Sequence, residues 1–261
     1  MCEPLGPGRV LSAGAAAKVC LPEGPEEFAR ALGRRGSRRP VVVGDDRALV
    51  RAVTVLHRQR ELAGCALSVV PVGDTALAQA LGVPRGAVAA ARAVLDGTER
   101  RLDLLVDDSD GVVLSALGIP PAPVRAAVAE PVAVPAGRPW LRTTYRSLVR
   151  TLAPRPTRLS AVPSPGPTRL RVEVDGDTVV DLDQPVETVS VTPGTGGVAS
   201  IEVRPLSLGA EATPVLASGR TVTVAGADFR YRADAAVSGP VRRRTWTVRE
   251  AAWGLTLPAG R

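Results

Sequence analysis

Glycine and carboxylate residues follow two apolar runs of this chain, in the kind of position where α/β proteins bind ligands. Pro40–Val43 is followed by Gly44-Asp45-Asp46, and Ala66–Val70 is followed by Pro71-Val72-Gly73-Asp74-Thr75. Ligands in parallel sheets gather beyond the carboxyl ends of the strands. Asp46 is therefore a candidate to bind Mg²⁺ or a phosphate-bound water, with an ordinary polar turn residue as the alternative.

The segments after these turns predict helices. Arg47 to about Arg60 and Ala76–Leu81 both read as helical, so strand, glycine turn and helix occur twice in succession. This order is typical of a parallel α/β sheet. Further helices are predicted at Pro25–Leu32 and Pro84–Leu95. Arg101–Val106 and Val112–Ser115 predict a hairpin around the acidic turn at 107–111.

The sequence pattern changes in the second half of the chain. Trp140–Leu152 predicts a linking helix, because its apolar residues recur at intervals of three or four. Five prolines between 154 and 167 follow, and then many short strands with Gly, Pro and Asp turns, which are typical of a β-sandwich. We therefore predict an α/β nucleotide-binding-like domain at 1–139 with a parallel sheet, followed by an all-β sandwich domain at 140–261.

The charge of +7 invites a nucleic-acid or anionic-membrane partner. The basic residues are nearly all arginine, with Lys18 the only lysine, and they are interleaved with acids rather than gathered in a stripe. A solvated surface is thus favoured over a nucleic-acid site. No apolar run reaches the length of a membrane span and no signal peptide is apparent, which predicts a cytoplasmic protein with at most peripheral membrane contact. The oligomeric state cannot be predicted.

Four segments together resemble the diacylglycerol kinase catalytic-domain family, which includes bacterial lipid kinases and sphingosine kinases and is distantly similar to NAD kinases. The family's G-G-D-G-T, P-L-G-T-G-N-D-F-A-R-x-L-G-I-P, R-x-D-L and D-G-E motifs correspond in order and spacing to segments from about Ala17 onward. These segments are Gly44-Asp45-Asp46-Arg47-Ala48, Pro71–Pro84, Arg101-Leu102-Asp103-Leu104 and Asp234-Ala235-Ala236. The resemblance implies a nucleotide-binding α/β domain, ATP and Mg²⁺ as cofactors, and a lipid hydroxyl as the phosphate acceptor.

The resemblance also implies which residues would form the site. The cofactor-binding positions are Gly44, Asp46, Gly73, Asp74 and Thr75, and Asp234 is the remnant of the catalytic motif. No dedicated metal ligand is predicted. In the first motif the glycines admit nucleotide phosphates where a Cβ would intrude, and two of them are Asp45 and Arg47 here.

Two further departures concern the catalytic chemistry. The family's glutamate, expected to be the general base for the lipid hydroxyl, is Ala236 here. The usual first strand, with N-P-x-S-G-x-G, is also missing from the sequence. The altered motifs predict weak or absent kinase activity, because phosphoryl transfer needs positioning, a metal ion and usually a proton acceptor.

Other candidate residues favour structural roles. His57, the only histidine, lies late in a predicted helix and is expected at the surface. Asp107, Asp108 and Asp110 resemble the start of a calcium loop, but the later spacing fails, so a solvated hairpin turn is favoured. Arg242–Arg244 suit a charged strand face, with lipid headgroups as the alternative partner. For Asp234, an exposed turn carboxylate is the alternative to a metal-network remnant.

Three hypotheses follow for the function. The first is an ATP-dependent lipid kinase acting on a diacylglycerol-like or sphingoid-like hydroxyl. The second is a non-catalytic lipid- or protein-binding regulatory protein with the same fold. The third is a basic nucleic-acid-binding protein, which only the net charge supports, because no platform of aromatic and basic residues is visible.

Overall fold

Strands predominate in the computed structural model, which describes residues 17–121, 168–206 and 213–259. Four helices and twelve strands occur in these ranges. The helices are α1 (Pro25–Gly33), α2 (Asp46–Arg58), α3 (Ala76–Ala80) and α4 (Ala87–Asp96). The strands are β1 (Val41–Gly44), β2 (Ala66–Pro71), β3 (Thr98–Asp107), β4 (Val112–Val113), β5 (Leu117–Ile119), β6 (Thr168–Val174), β7 (Asp177–Val180), β8 (Pro185–Pro193), β9 (Ala199–Pro205), β10 (Val215–Gly219), β11 (Thr221–Ala233) and β12 (Ala236–Leu257).

Parallel pairing is confined to the edge of the sheet that carries the helices. β1 pairs with β2 in register Val41 to Ser68, and β2 pairs with the last residues of β12, Gly254 to Ala66. All other described strand pairs are antiparallel, including β3 with β12, β11 with β12 and β8 with β9. The twelve strands form one hydrogen-bonded sheet whose main path is β1-β2-β12-β11-β5-β8-β6-β7.

Two apolar cores share the strands β3 and β12. Leu104 and Val106 of β3 belong to the core beneath the helices, whereas Leu105 between them faces the core of the antiparallel strands. In β12, Trp246 belongs to the second core and Trp253 to the first. Successive side chains of a strand point to opposite faces, so a single strand can line both cores.

The predicted fold class is therefore wrong. The chain does not form a parallel α/β domain followed by a separate β-sandwich, because the described strands make one mostly antiparallel sheet. The strands predicted in the second half are short, whereas β12 alone runs for 22 residues. This strand crosses from one core to the other at an irregularity between Arg249 and Trp253, where the local alternation is interrupted.

Most of the individual helices and strands in the described ranges are confirmed. The hairpin of β3 and β4 forms with Leu105 opposite Val113, and the predicted helices lie within a few residues of α1 to α4. The predicted linking helix at 140–152 and the boundary near residue 139 lie outside the described residues, so the domain division stays a prediction. None of the four helices described is long and apolar enough to cross a membrane.

Asp103 holds the irregular part of β12 in place. Its carboxylate is buried and accepts hydrogen bonds from the Gly197 N–H at 2.8 Å and from the Ala251 N–H at 2.7 Å. These amides belong to the β8–β9 turn and to the irregularity in β12. One side chain therefore joins three segments that are far apart in sequence.

Replacement of Asp103 by Ala should lower the free energy of unfolding by about 2–4 kcal/mol, because two backbone donors lose a charged acceptor. Asp228→Ala is the matched control, since its carboxylate is 60% exposed and pairs with the exposed Arg242. We expect that control to change stability by less than about 1 kcal/mol. Urea unfolding followed by circular dichroism measures both values, and equal losses for the two variants would contradict the role of Asp103.

Candidate functional site

The turn between β1 and α2 is closed by Asp45. Asp45 is the N-cap of α2, and its Oδ1 accepts a hydrogen bond from the Ala48 N–H at 2.9 Å. Asp is among the residues that cap helices best, because its carboxylate satisfies a backbone donor of the first turn and suits the helix dipole. A negative charge thus already lies at the helix N-terminus, where an anionic ligand would otherwise bind.

Asp46 is buried and ties the first turn to the second. Its Oδ2 accepts from the Leu77 N–H at 2.8 Å and its Oδ1 from the Ala78 N–H at 3.0 Å. Its own N–H donates to the Asp74 carbonyl at 2.9 Å. Both carboxylate oxygens therefore accept hydrogen bonds from the first turn of α3.

The second turn lies directly beside the first. Val72 donates its N–H to the Gly44 carbonyl at 2.8 Å, and Gly73 has a φ of +89°, which favours glycine. A Cβ built on Gly73 would lie 3.6 Å from the Cβ of Asp45. The Thr75 hydroxyl accepts a hydrogen bond from the Gln79 side chain at 2.9 Å, and Asp74 is exposed. The five predicted cofactor-binding residues are thus brought together.

Asp234 lies at the turn of the β11–β12 hairpin, with a positive φ of 47°. Its carboxylate accepts from three consecutive backbone N–H groups of the β4–β5 connection, at 2.7, 2.8 and 3.0 Å. These donors are Leu114, Ser115 and Ala116. The residue is a turn carboxylate, but one that is partly buried and holds another loop.

The negative charge of Asp46, in the first turn, affects the pKa of Asp234. Burial raises the pKa of Asp234 above its ordinary value of 3.8, the three backbone donors oppose this without cancelling it, and the negative charge of Asp46 raises it further. Ala236, at the position of the family's glutamate, is exposed and has no group that could accept a proton. In the described ranges, no group of three or more His, Cys, Asp or Glu side chains could hold a metal ion.

The remaining candidates have structural surface contacts. His57 Nε2 lies 2.9 Å from Asp110 Oδ1, which joins α2 to the β3–β4 turn. In that turn, Asp107 Oδ1 accepts from the N–H groups of Ser109 and Gly111, as expected for a hairpin turn. Arg244 pairs with Asp108, and Arg242 Nε lies 3.0 Å from Asp228.

The sequence did not indicate which residues donate hydrogen bonds to the carboxylates of Asp46 and Asp234. Leu77, Ala78 and the 114–116 loop contribute only backbone N–H groups, which leave no signature in side-chain types. The capping role of Asp45 had a detectable signal, because an Asp directly before an amphipathic helix is a common N-cap.

The comparisons with known proteins agree with the geometry at the level of fold. No protein-family model and no curated protein matches the sequence. Among solved structures, one named as a putative diacylglycerol kinase from Bacillus anthracis str. Sterne superposes with a TM-score of 0.61 at 12% identity, covering 90% of this chain and 84% of that one. Another, named as a diacylglycerol kinase from the same organism, has a TM-score of 0.59 at 12% identity, covering 91% and 83%.

The chain has the fold of these kinases. The resemblance stated from the sequence is confirmed for the fold, since the similarity extends over nearly the whole of both chains. At 12% identity the superposition shows the fold alone.

The raised pKa of Asp234 predicts a pH dependence of stability. Because the folded state binds a proton more readily than the unfolded chain, the contribution of this carboxyl is fully present below its unfolded pKa and is lost as the pH rises through its folded pKa. The difference in unfolding free energy between wild type and Asp234→Asn should therefore shift in favour of wild type as the pH falls from neutral toward 3.8. Urea titrations of both proteins across this range measure it. A shift in the opposite direction would show that the backbone donors outweigh burial.

Proposed function

We propose that this protein is a non-catalytic member of the lipid-kinase fold, a cytoplasmic binding protein that does not transfer phosphate from ATP. The observation that carries the proposal is the commitment of Asp45 and Asp46 to backbone amides of α2 and α3. Carboxylates held in this way stabilise the turns, whereas a nucleotide site would need the same atoms or the same space.

The residues present do not fit the phosphates of ATP. The Asp45 carboxylate lies at the N-terminus of α2, and its Cβ lies close over Gly73, so phosphate oxygens would meet a negative charge at short range. Arg47, directly after these acids, is exposed and offers only partial compensation. The charge and the side-chain volume both oppose nucleotide binding.

The residues also do not fit Mg²⁺ or the proton transfer. A metal ion on Asp46 would share oxygens that already accept hydrogen bonds of 2.8 and 3.0 Å from α3, and in the described ranges no group of three or more His, Cys, Asp or Glu side chains could hold it. Asp234 is likewise occupied by three backbone donors, and Ala236 cannot accept a proton from a lipid hydroxyl. Loss of a proton acceptor alone typically lowers the rate by about 10²–10⁴.

An anionic lipid surface is the partner that the remaining features favour. Arg230, Arg242 and Arg243 are exposed on the β11–β12 hairpin, and arginine pairs well with phosphate headgroups. A protein of this kind would keep the lipid binding that the resemblance implies and would have lost phosphate transfer from ATP.

Vesicles containing diacylglycerol and phosphatidylglycerol test both parts of the proposal. We expect the wild-type protein to sediment with these vesicles in a salt-dependent manner and to transfer no radiolabel from Mg-ATP to lipid. Transfer by the wild-type protein would overturn the proposal that it is non-catalytic. Failure to sediment with the vesicles would overturn the lipid partner.

A variant with Asp45→Gly, Arg47→Gly and Ala236→Glu restores three of the altered motif positions in the same scaffold. Glycine at the N-cap costs the helix only a few tenths of a kcal/mol, so the variant should fold. We expect measurable transfer from it, and about 10²–10⁴ less from the matched control that has Ala236→Gln instead, because an amide cannot act as the base. Equal activity of the two variants would contradict the assigned role of position 236.

A further inference from the structure

The strand β1 forms one edge of the sheet in the described part of the chain. It pairs in parallel with β2, and no other described strand pairs with it. The outward-facing N–H and C=O groups of such a strand are a template for another strand.

Apart from its short length of four residues, the edge has none of the usual features that prevent pairing. Its residues are Val41-Val42-Val43-Gly44, without a charge, a bulge or a proline inside the strand. Proteins generally protect exposed edges with one of these features. Three successive β-branched residues instead favour the extended conformation that an added strand requires.

One face of β1 is also uncovered. Val42 is buried in the core beneath α2, whereas Val41 and Val43 on the opposite face are 37% and 55% exposed. Their partners on β2, Ser68 and Val70, are fully or nearly fully buried, and α4 packs against that strand. Among the residues that the structure describes, the cover on this face therefore ends at β2.

Charges of opposite sign flank the strand. Arg38 and Arg39 are exposed directly before it, and Asp45 is partly exposed directly after it, with the exposed Asp74 on the adjoining turn. In an antiparallel pair of identical strands, the basic start of one copy lies level with the acidic end of the other. A surface of this kind is self-complementary, as a two-fold interface requires.

We propose that β1 pairs antiparallel with β1 of a second copy, so that the protein forms a two-fold symmetric dimer through this edge. Val41 and Val43 then form cross-strand pairs with the same residues of the partner, and Arg39 lies close to the partner subunit's Asp45. Each copy would thereby place a cation at the candidate site of the other. This inference is independent of the proposed function.

The dimer should be weak and concentration-dependent. A four-residue strand and its flanking charges bury less area than the roughly 1,200–2,000 Å² of stable complexes. Sedimentation velocity on the full chain, from about 5 to about 200 µM, covers the range in which such small interfaces associate. We expect the fraction of dimer to rise across this range.

Two variants and a control test the contact itself. Val43→Lys places a charge on the exposed edge and should abolish the dimer, whereas Val198→Lys changes a valine that is 40% exposed in the β8–β9 turn and should leave it intact. Arg39→Glu should weaken association about tenfold or more, because the contact occurs twice in the dimer. Thermal unfolding of each variant confirms that it is folded.

Three results would overturn the inference. The first is a wild-type monomer at every concentration. The second is a dimer that Val43→Lys leaves unchanged. The third is a monomer whose Val41–Gly44 amides are protected from hydrogen exchange on the side away from β2, because the chain itself or another segment would then cover the strand.

Discussion

The arrangement of this molecule depends on backbone amides that saturate partly or fully buried carboxylates. Asp46 joins the first turn to α3, 31 and 32 positions away, and Asp234 joins the β11–β12 hairpin to the 114–116 loop. Asp103 connects Gly197 and Ala251 in the same way. A buried charge without partners would be costly, and these carboxylates have two or three donors each. These three carboxylates therefore hold the connected turns and loops in place.

The same constraint links the fold to the proposed loss of chemistry. In a phosphoryl-transfer site, carboxylates and backbone N–H groups must be available to the metal ion and the phosphates. Here the Ala48 N–H at the start of α2 donates to Asp45, and the Leu77 and Ala78 N–H groups at the start of α3 donate to Asp46, so these three donors are already used. Under the proposed function, the contacts that stabilise these turns are also the ones that oppose nucleotide binding. Ala236 fits this view, since a general base has no purpose where nucleotide does not bind.

Local patterns in the sequence were enough to predict most of the elements, and distant pairing was not predictable. Alternation in Arg101–Val106 and the acidic turn at 107–111 identified the β3–β4 hairpin, whose partners are close in sequence. The path of β12 was missed, because Glu250-Ala251-Ala252 interrupts the alternation. The strand's partners β2 and β3 also lie about 190 and about 150 residues earlier in the chain. That single strand joins the parallel and the antiparallel strands in one sheet.

The candidate site was predictable in part for the same reason. The motif order indicated that Gly44, Asp46 and Gly73 lie at neighbouring turns, and the described contacts place them there. What the carboxylates bind was not predictable, because their partners are main-chain N–H groups of Leu77, Ala78 and 114–116. Residue types do not distinguish a backbone N–H that donates to a carboxylate from one that donates to a phosphate.

Isothermal titration of the wild-type protein with ATP in the presence of Mg²⁺ tests the central claim most directly. If the carboxylates of the two turns are committed to backbone amides, millimolar nucleotide should produce only the heat of dilution. A saturable isotherm with one nucleotide per chain would contradict the account, because it would show that the turns open to phosphate despite Asp45 and Asp46.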